Sequence, residues 1–177
     1  MCSIRIEPGI ETARLRLTPA SGDYADRAIP IINDFDIARM TSRIPHPYGP
    51  AEAEAFRQSL GKAQSHDSLL QIETREGELI GAVGASLDDG ELFPEIGYWI
   101  ARDHWGRGYA TEAAGAVRDW ARRMFGVRAV IAGHFTDNAA SGRVLEKCGF
   151  LYTGEVRQRF SLARGEAATT RMMVWLA

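Results

Sequence analysis

The stretch that most constrains this chain is Trp105-Gly106-Arg107-Gly108-Tyr109-Ala110-Thr111-Glu112, set between a strand-like run and a helix. Ahead of it lies Glu95-Ile96-Gly97-Tyr98-Trp99-Ile100. After it, Thr111 to Met124 carries small or apolar residues at Ala113, Ala114, Val117, Trp120, Ala121 and Met124, the spacing of one buried helix face. A strand that turns through glycines into a helix leaves the first backbone N–H groups of that helix unpaired at its positive end. Such a place seats a phosphate or pyrophosphate. Gly106 and Gly108 let the backbone approach the anion, and Ala110 keeps the helix start uncrowded.

Two nucleotide motifs compete for this loop, and both fail. The dinucleotide fingerprint needs a third glycine where this chain has Thr111; the nucleoside-triphosphate loop needs Gly-Lys-Ser/Thr where it has Gly108-Tyr109-Ala110. A short glycine cradle for a phosphorylated ligand remains, beside the plainer alternative of a simple turn.

The rest of the chain supplies a mixed sheet around this unit. Arg14-Leu15-Arg16-Leu17-Thr18 alternates as a half-buried strand that Pro19 ends, after an irregular lead-in over residues 1–13. Ser21 or Asp23 can cap a helix carrying Tyr24, Ala28, Ile31 and Ile32, which Pro30 is expected to break or kink. A short helix over Phe35 to Met40 precedes the proline-rich loop Ile44 to Pro50, and Pro50 suits the first turn of a helix running from Ala51 to about Gln64, with Ala53, Phe56, Leu60 and Ala63 apolar. Leu69–Thr74 and Leu79–Ala85 form a hairpin, and Asp88-Asp89-Gly90 turns the chain into the Glu95–Ala101 strand. Gly126 closes the central helix, Arg128–His134 is a buried strand, and Asp137 or Asn138 caps a helix with Ala140, Val144, Leu145 and Cys148 on its core face. Phe150–Phe160 and Thr169–Leu176 are the last strands. This order predicts an α/β (α+β) fold: a mixed, mostly antiparallel sheet of about seven strands with helices on both faces.

At 177 residues the length fits one domain, 1–177, with a core of its own. A net charge of -2 and the lack of a basic stripe interleaved with aromatics exclude nucleic acid as an expected partner. No apolar run could span a bilayer, and Met1-Cys2-Ser3-Ile4-Arg5 lacks the apolar segment of a signal peptide, so no membrane association and a cytoplasmic location are expected. Cys2 and Cys148 give neither a disulfide framework nor a metal-ligand spacing; no metal is expected, and Cys148 reads as a packed thiol.

Three separated motifs carry a family resemblance: Glu95 to Ile100, Trp105 to Ala113, and Asn138-Ala139-Ala140-Ser141 with Glu146-Lys147-Cys148-Gly149-Phe150. In this order the chain resembles the GNAT acyltransferase superfamily, nearest its ribosomal-protein-alanine N-acetyltransferase-like branch, which the Arg14–Leu17 strand and the Pro45–Ala55 region also match. The resemblance implies a GNAT-like acyl-CoA acyltransferase fold, with acetyl-CoA as cosubstrate and its pyrophosphate embraced by Gly106, Arg107, Gly108, Tyr109, Ala110 and Thr111. It implies further that the pantetheine arm pairs with free backbone groups around Trp99 and Ile100, where neighbouring strands splay, and meets Asn138, which by itself reads as a helix cap. Where the superfamily usually has Arg or Gln ahead of the loop, this chain has Trp105, which cannot ion-pair; side-chain charge for the phosphates falls to Arg107.

Acetyl transfer from a thioester to an amine needs a neutral amine, a polarised carbonyl and a proton for the departing thiolate, and no covalent nucleophile. Glu95, at the start of the strand beside the cofactor, is the first candidate base; an exposed glutamate or a structural ion pair explains it equally well. His104 and His134 are rivals, Glu112 is a first-turn carboxylate favoured by the helix dipole, and water can also carry the proton. The superfamily's acid position is Leu145 here, which cannot donate. The resembling branch places a serine one turn earlier, at Ser141, which faces the thiol; a serine satisfying backbone groups in a first helical turn is the alternative. Arg43, His46, Tyr48 and Arg159 are candidates for lining the acceptor side. The resemblance favours a protein or peptide N-terminal amine as acceptor, with small-molecule amines such as antibiotics, polyamines or amino acids as the alternative. A monomer or homodimer is compatible, and a non-catalytic acyl-CoA-binding regulator is the reading from another class.

Overall fold

The computed structural model describes residues 9–20, 23–60, 67–87 and 91–177. Among these, eight strands form one sheet: β1 (Ile10–Glu11), β2 (Leu15–Pro19), β3 (Asp67–Thr74), β4 (Leu79–Ser86), β5 (Glu95–Ile100), β6 (Ala129–Phe135), β7 (Leu151–Ser161) and β8 (Glu166–Leu176). The order across the sheet is β1-β2-β3-β4-β5-β6-β8-β7, antiparallel everywhere except between β5 and β6. The helices are α1 (Tyr24–Ile32), α2 (Phe35–Ala38), α3 (Pro50–Leu60), α4 (Tyr109–Phe125) and α5 (Ala139–Lys147).

The mostly antiparallel sheet with helices on both faces matches the expectation, with one strand more than the seven read from the sequence. β1 is two residues long, too short for any periodicity to reveal, and is made by pairing Ile10 with Leu17 and Glu11 with Arg16. The lead-in is therefore not wholly irregular. Pro30 does not break α1, which runs on to Ile32; standing two residues from the end, it forfeits a single helical hydrogen bond. The proposed Ser21 cap, the continuation of α3 to Ala63 and Gln64, the Asp88-Asp89-Gly90 turn and Cys2 lie outside the described residues.

Alternation in the strands sorts side chains between two cores. On one face Leu15, Leu17, Ile72, Ile80, Val83 and Ile96 meet Ala113, Val117 and Ala121 of α4 and Leu145 of α5. On the other, Leu79, Ala82 and Trp99 meet Tyr24, Ala28 and Ile32 of α1 and Ala53 of α3. Leu15, Leu17, Ile72 and Ile80 are fully buried; truncating any one to alanine costs about 2–5 kcal/mol. The parallel β5–α4–β6 crossover in the middle of this frame holds the opening stretch of sequence.

Candidate functional site

The strand, glycine turn and helix read from the sequence follow one another here, with one added device. After β5 the chain makes a single 3-10 turn (Arg102–His104), and Trp105 then folds back so that its indole Nε1–H donates to the Ile100 carbonyl at 2.7 Å. Gly106 and Gly108 both take left-handed backbone conformations, with φ of 74° and 80°, which a side chain would strain. Gly108 is the N-cap of α4 and brings no side-chain capping bond. The helix begins at Tyr109, two residues earlier than its apolar periodicity suggests.

The loop is fastened from behind by the turn between β1 and β2. Arg14 donates from Nη1 to the Arg107 carbonyl at 2.9 Å, while Glu112 accepts from Thr12 Oγ1 (2.6 Å), the Arg14 backbone N–H (2.8 Å) and Arg14 Nε (2.7 Å). Burial pushes the Glu112 carboxyl up, but these hydrogen bonds and the guanidinium outweigh it and hold the group below the ordinary glutamate range. Glu112 is thus a structural first-turn carboxylate. The Arg107 side chain is exposed and its residue is not part of the cleft wall.

Beside the cradle the sheet opens. β5 pairs with β6 only at Glu95–Ile131 and Ile96–Ala132, whereas on its other edge it pairs with β4 along its whole length, from Ser86–Glu95 to Gly81–Ile100. Backbone groups alternate between the two edges of a strand. Because the Ala101 N–H donates to the Ile80 carbonyl, the backbone groups of Trp99 face β4, and those of Tyr98 and Ile100 face the gap. The Ile100 carbonyl in the gap is the one Trp105 occupies. Trp99 itself is buried against α1 and α3.

α5 starts on the far side of this gap. Asn138 Oδ1 accepts the Ser141 N–H at 3.1 Å, so the cap reading of Asn138 holds. Ser141 Oγ lies 2.9 Å from the Tyr98 hydroxyl. Cys148 is buried, its Sγ–H donating to the Thr111 carbonyl at 3.3 Å, and burial raises the thiol above its usual range; it is a packed thiol that ties α5 to α4.

Glu95 sits at the other end of β5 in a bidentate pair: Arg159 Nη1 and Nη2 donate to its two oxygens at 2.5 and 2.7 Å. The two residues were candidates for separate jobs, base and acceptor contact, and the structure joins them. His134 is buried with both ring nitrogens engaged. Its Nδ1 must donate to the Phe135 carbonyl (2.9 Å), leaving Nε2 to accept from the Tyr152 hydroxyl at 3.1 Å. His104 lies in the 3-10 turn, its Nε2 donating to Glu78 at 3.2 Å and its ring 5.8 Å from that of Tyr109. His46 packs edge-on to Phe35, whereas Arg43 and Tyr48 line the cleft.

One cleft of about 1760 Å³ joins these parts, running from Gly106 and Thr111 past Tyr98, Asn138 and Ser141 to Glu95. Two cations that motif reading passed over, Arg143 and Lys147, also line it; their spacing of four residues on one helix face was the available signal. Tyr98 is the other omission, hidden in a run of apolar residues that reads as plain strand.

The parts suit a long phosphorylated thioester. Uncapped N–H groups and two left-handed glycines form a seat of the kind that suits phosphates, with open space within 4 Å of where a side chain would begin at Gly106. The gap beside Tyr98 and Ile100 can receive an extended amide-bearing arm as a strand would be received. Among the described residues no group of histidine, cysteine and carboxylate side chains could hold a metal.

Residues 14–151 match the model of the acetyltransferase (GNAT) domain. The uncharacterized N-acetyltransferase YoaA of Bacillus subtilis is 32% identical over 161 residues, covering 85% of this chain and 87% of that protein. Among solved structures, the microcin C7 self-immunity acetyltransferase MccE, in complex with acetyl-CoA and AMP, superposes with a TM-score of 0.81 at 17% identity over 99% of both chains. RimL, a ribosomal L7/L12 alpha-N-protein acetyltransferase in complex with coenzyme A, does so at 0.79 and 15% identity, over 95% of this chain and 97% of its own. At these identities the two structures speak for a shared fold, while the domain match and YoaA speak for kinship. The chain belongs to the GNAT acetyltransferase family and is an acyltransferase.

Proposed function

We propose that the protein moves an acetyl group from acetyl-CoA directly to a primary amine, with 1–177 acting as one such domain. The observation that carries this is the ending of the β5–β6 ladder at Ile96–Ala132, which opens strand backbone to the cleft immediately beside the uncapped start of α4. When bound, acetyl-CoA supplies an acetyl group activated as a thioester. In this reading Gly106, Gly108, Tyr109, Ala110 and Thr111 hold the pyrophosphate, helped by Arg107 and by the cleft-lining cations of α5. Tyr98 and Ile100 offer backbone groups to the pantetheine arm, Trp99 supports them from the core, and the Asn138 amide reaches the arm while its oxygen caps α5. Glu95 takes the amine proton directly or through water, and the Ser141 hydroxyl donates to the departing sulfur.

The acceptor in this reading is the N-terminal amine of a protein or peptide. Its support is the way the cleft is roofed. The Ser161 hydroxyl donates to the Thr41 carbonyl (2.9 Å), the Leu162 N–H to that of Ser42 (3.1 Å) and Arg164 Nε to that of Arg39 (2.7 Å), tying the segment after α2 to the β7–β8 turn. In this reading the acceptor comes in end-on, as a chain terminus or a slender amine does; slender small-molecule amines are therefore the second reading. A cytoplasmic setting goes with a donor made and used inside cells.

The test is to incubate the purified protein with acetyl-CoA and a panel of peptides and small amines. Thiol release is followed, and acetylated product is sought by mass spectrometry. Amine-dependent thiol release is expected. Tight acetyl-CoA binding by calorimetry with no release above hydrolysis for any amine would replace the enzyme with an acyl-CoA-binding regulator.

A further inference from the structure

We propose that Tyr98 is a positioning residue that aims the Ser141 hydroxyl at the thioester sulfur; this rests on the acetyl-transfer reading above. β5 sends the Tyr98 side chain to the face covered by α4 and α5, where its oxygen lies 2.9 Å from Ser141 Oγ and 3.2 Å from the Ser141 carbonyl. The Ser141 N–H is held separately by Asn138. Leu145, one turn further along α5, is buried and apolar. The hydroxyl that meets Ser141 therefore comes from the strand that borders the gap, and both residues line the cleft.

One phenolic proton has two acceptors in reach, and the choice decides what Ser141 can do. Donated to the Ser141 carbonyl, it leaves the serine proton pointing back at the Tyr98 oxygen, unavailable to the cleft. Donated to Oγ, it frees the serine proton to point at a negative atom in the cleft and strengthens it as a donor, since hydrogen bonds in a chain polarise one another. Burial raises the Tyr98 phenol above its ordinary range, so it stays a donor and does not give up its proton.

Transfer forms a carbon–nitrogen bond and breaks a carbon–sulfur bond, whose electron pair goes to sulfur. The amine loses one proton and the sulfur gains one, by way of Glu95 or water. Neither hydroxyl loses a proton overall; Ser141 stabilises charge on the sulfur, and Tyr98 keeps Ser141 facing it.

Three variants test this: Tyr98→Phe, which keeps the ring, Ser141→Ala, and the double variant. The expected result is that each single variant lowers kcat about tenfold with little change in KM for acetyl-CoA, and that the double variant is no slower than Ser141→Ala, as for residues acting as a unit. Calorimetry gives a second readout at mildly alkaline pH, where a thiolate is available. Wild type should bind coenzyme A several-fold more tightly than desulfo-coenzyme A, and either substitution should remove that preference. An unchanged kcat in Tyr98→Phe, or effects that multiply in the double variant, would overturn the assignment. Because Ser141→Ala leaves Tyr98 in place, a poorly folded Tyr98→Phe would still leave the calorimetric preference to decide: its persistence in Ser141→Ala removes the pair from the sulfur. A protein that acetylates no amine but shows the pair-dependent preference would lose the transfer reading and keep this one.

Discussion

Arg159 of β7 reaches across the cleft and holds both carboxylate oxygens of Glu95 on β5, at 2.5 and 2.7 Å. The guanidinium fork takes one lone pair on each oxygen and leaves the others for an amine proton or a bridging water. Base and ion pair, alternatives on the sequence alone, become compatible. Glu95→Gln should therefore lower the amine-dependent rate by about 10²-fold. Both side chains are about a quarter exposed, so the accompanying stability change should stay within about 1 kcal/mol. Full retention of rate across the pH range would remove Glu95 as base.

The cradle glycines should separate strain from ligand contact. A Cβ at Gly106 meets nothing within 4 Å, while one at Gly108 meets Arg14 Nη2 at 3.4 Å. Alanine at either position carries the left-handed backbone penalty, on the order of 1–2 kcal/mol. Gly106→Ala should add a loss of acetyl-CoA affinity, about tenfold or more, because its methyl stands in the open cradle. Thermal melts read the first effect and calorimetry the second.

Glu112 gives a pH signature. Its folded-state carboxyl is held below the ordinary range, net of the opposing effect of burial. A depressed carboxylate contributes stability that is fully present above the unfolded value of about 4.3 and is lost as pH falls through the folded value. Wild type should thus lose stability below about pH 4.3 more steeply than Glu112→Gln. At neutral pH Glu112→Gln should be destabilised by on the order of 1–2 kcal/mol, from weakened charge-assisted bonds to Thr12 and Arg14. Urea melts at several pH values check both.

Asn138 has a structural duty that can be measured apart from any other. Its side-chain oxygen caps α5, so Asn138→Ala should cost about 1 kcal/mol. Asn138→Asp keeps the acceptor and removes the amide. It should restore stability but not acetyl-CoA affinity if the amide touches the pantetheine arm, and calorimetry on both variants decides.

The fold was legible wherever periodicity ran long enough. α4 and the strands from β3 to β6 announced themselves by buried positions that recur at a fixed step. β1 did not, because a two-residue strand exists only through its partner. In the site, Gly106, Gly108 and Asn138 were readable because backbone conformation and capping are local. His134 looked like a possible base and is instead tied at both nitrogens, by Phe135 and Tyr152. The Glu95–Arg159 and Tyr98–Ser141 pairs join residues 64 and 43 positions apart. Such meetings depend on sheet order and the crossover, which no single stretch encodes.

Trp105 carries a consequence beyond its own hydrogen bond. Its indole fixes the loop to the end of β5, and the Arg102 guanidinium stacks 5.3 Å above it while binding Asp34 and Asp36 beside and within α2. The glycine loop and α2 thus share a mechanical joint. On the proposed reading, with pyrophosphate at the loop and the acceptor beside α2, a shift at one should be felt at the other, and thermodynamic reciprocity requires each ligand then to alter the other's affinity by the same factor. Donor and acceptor should therefore bind as coupled partners rather than as independent guests.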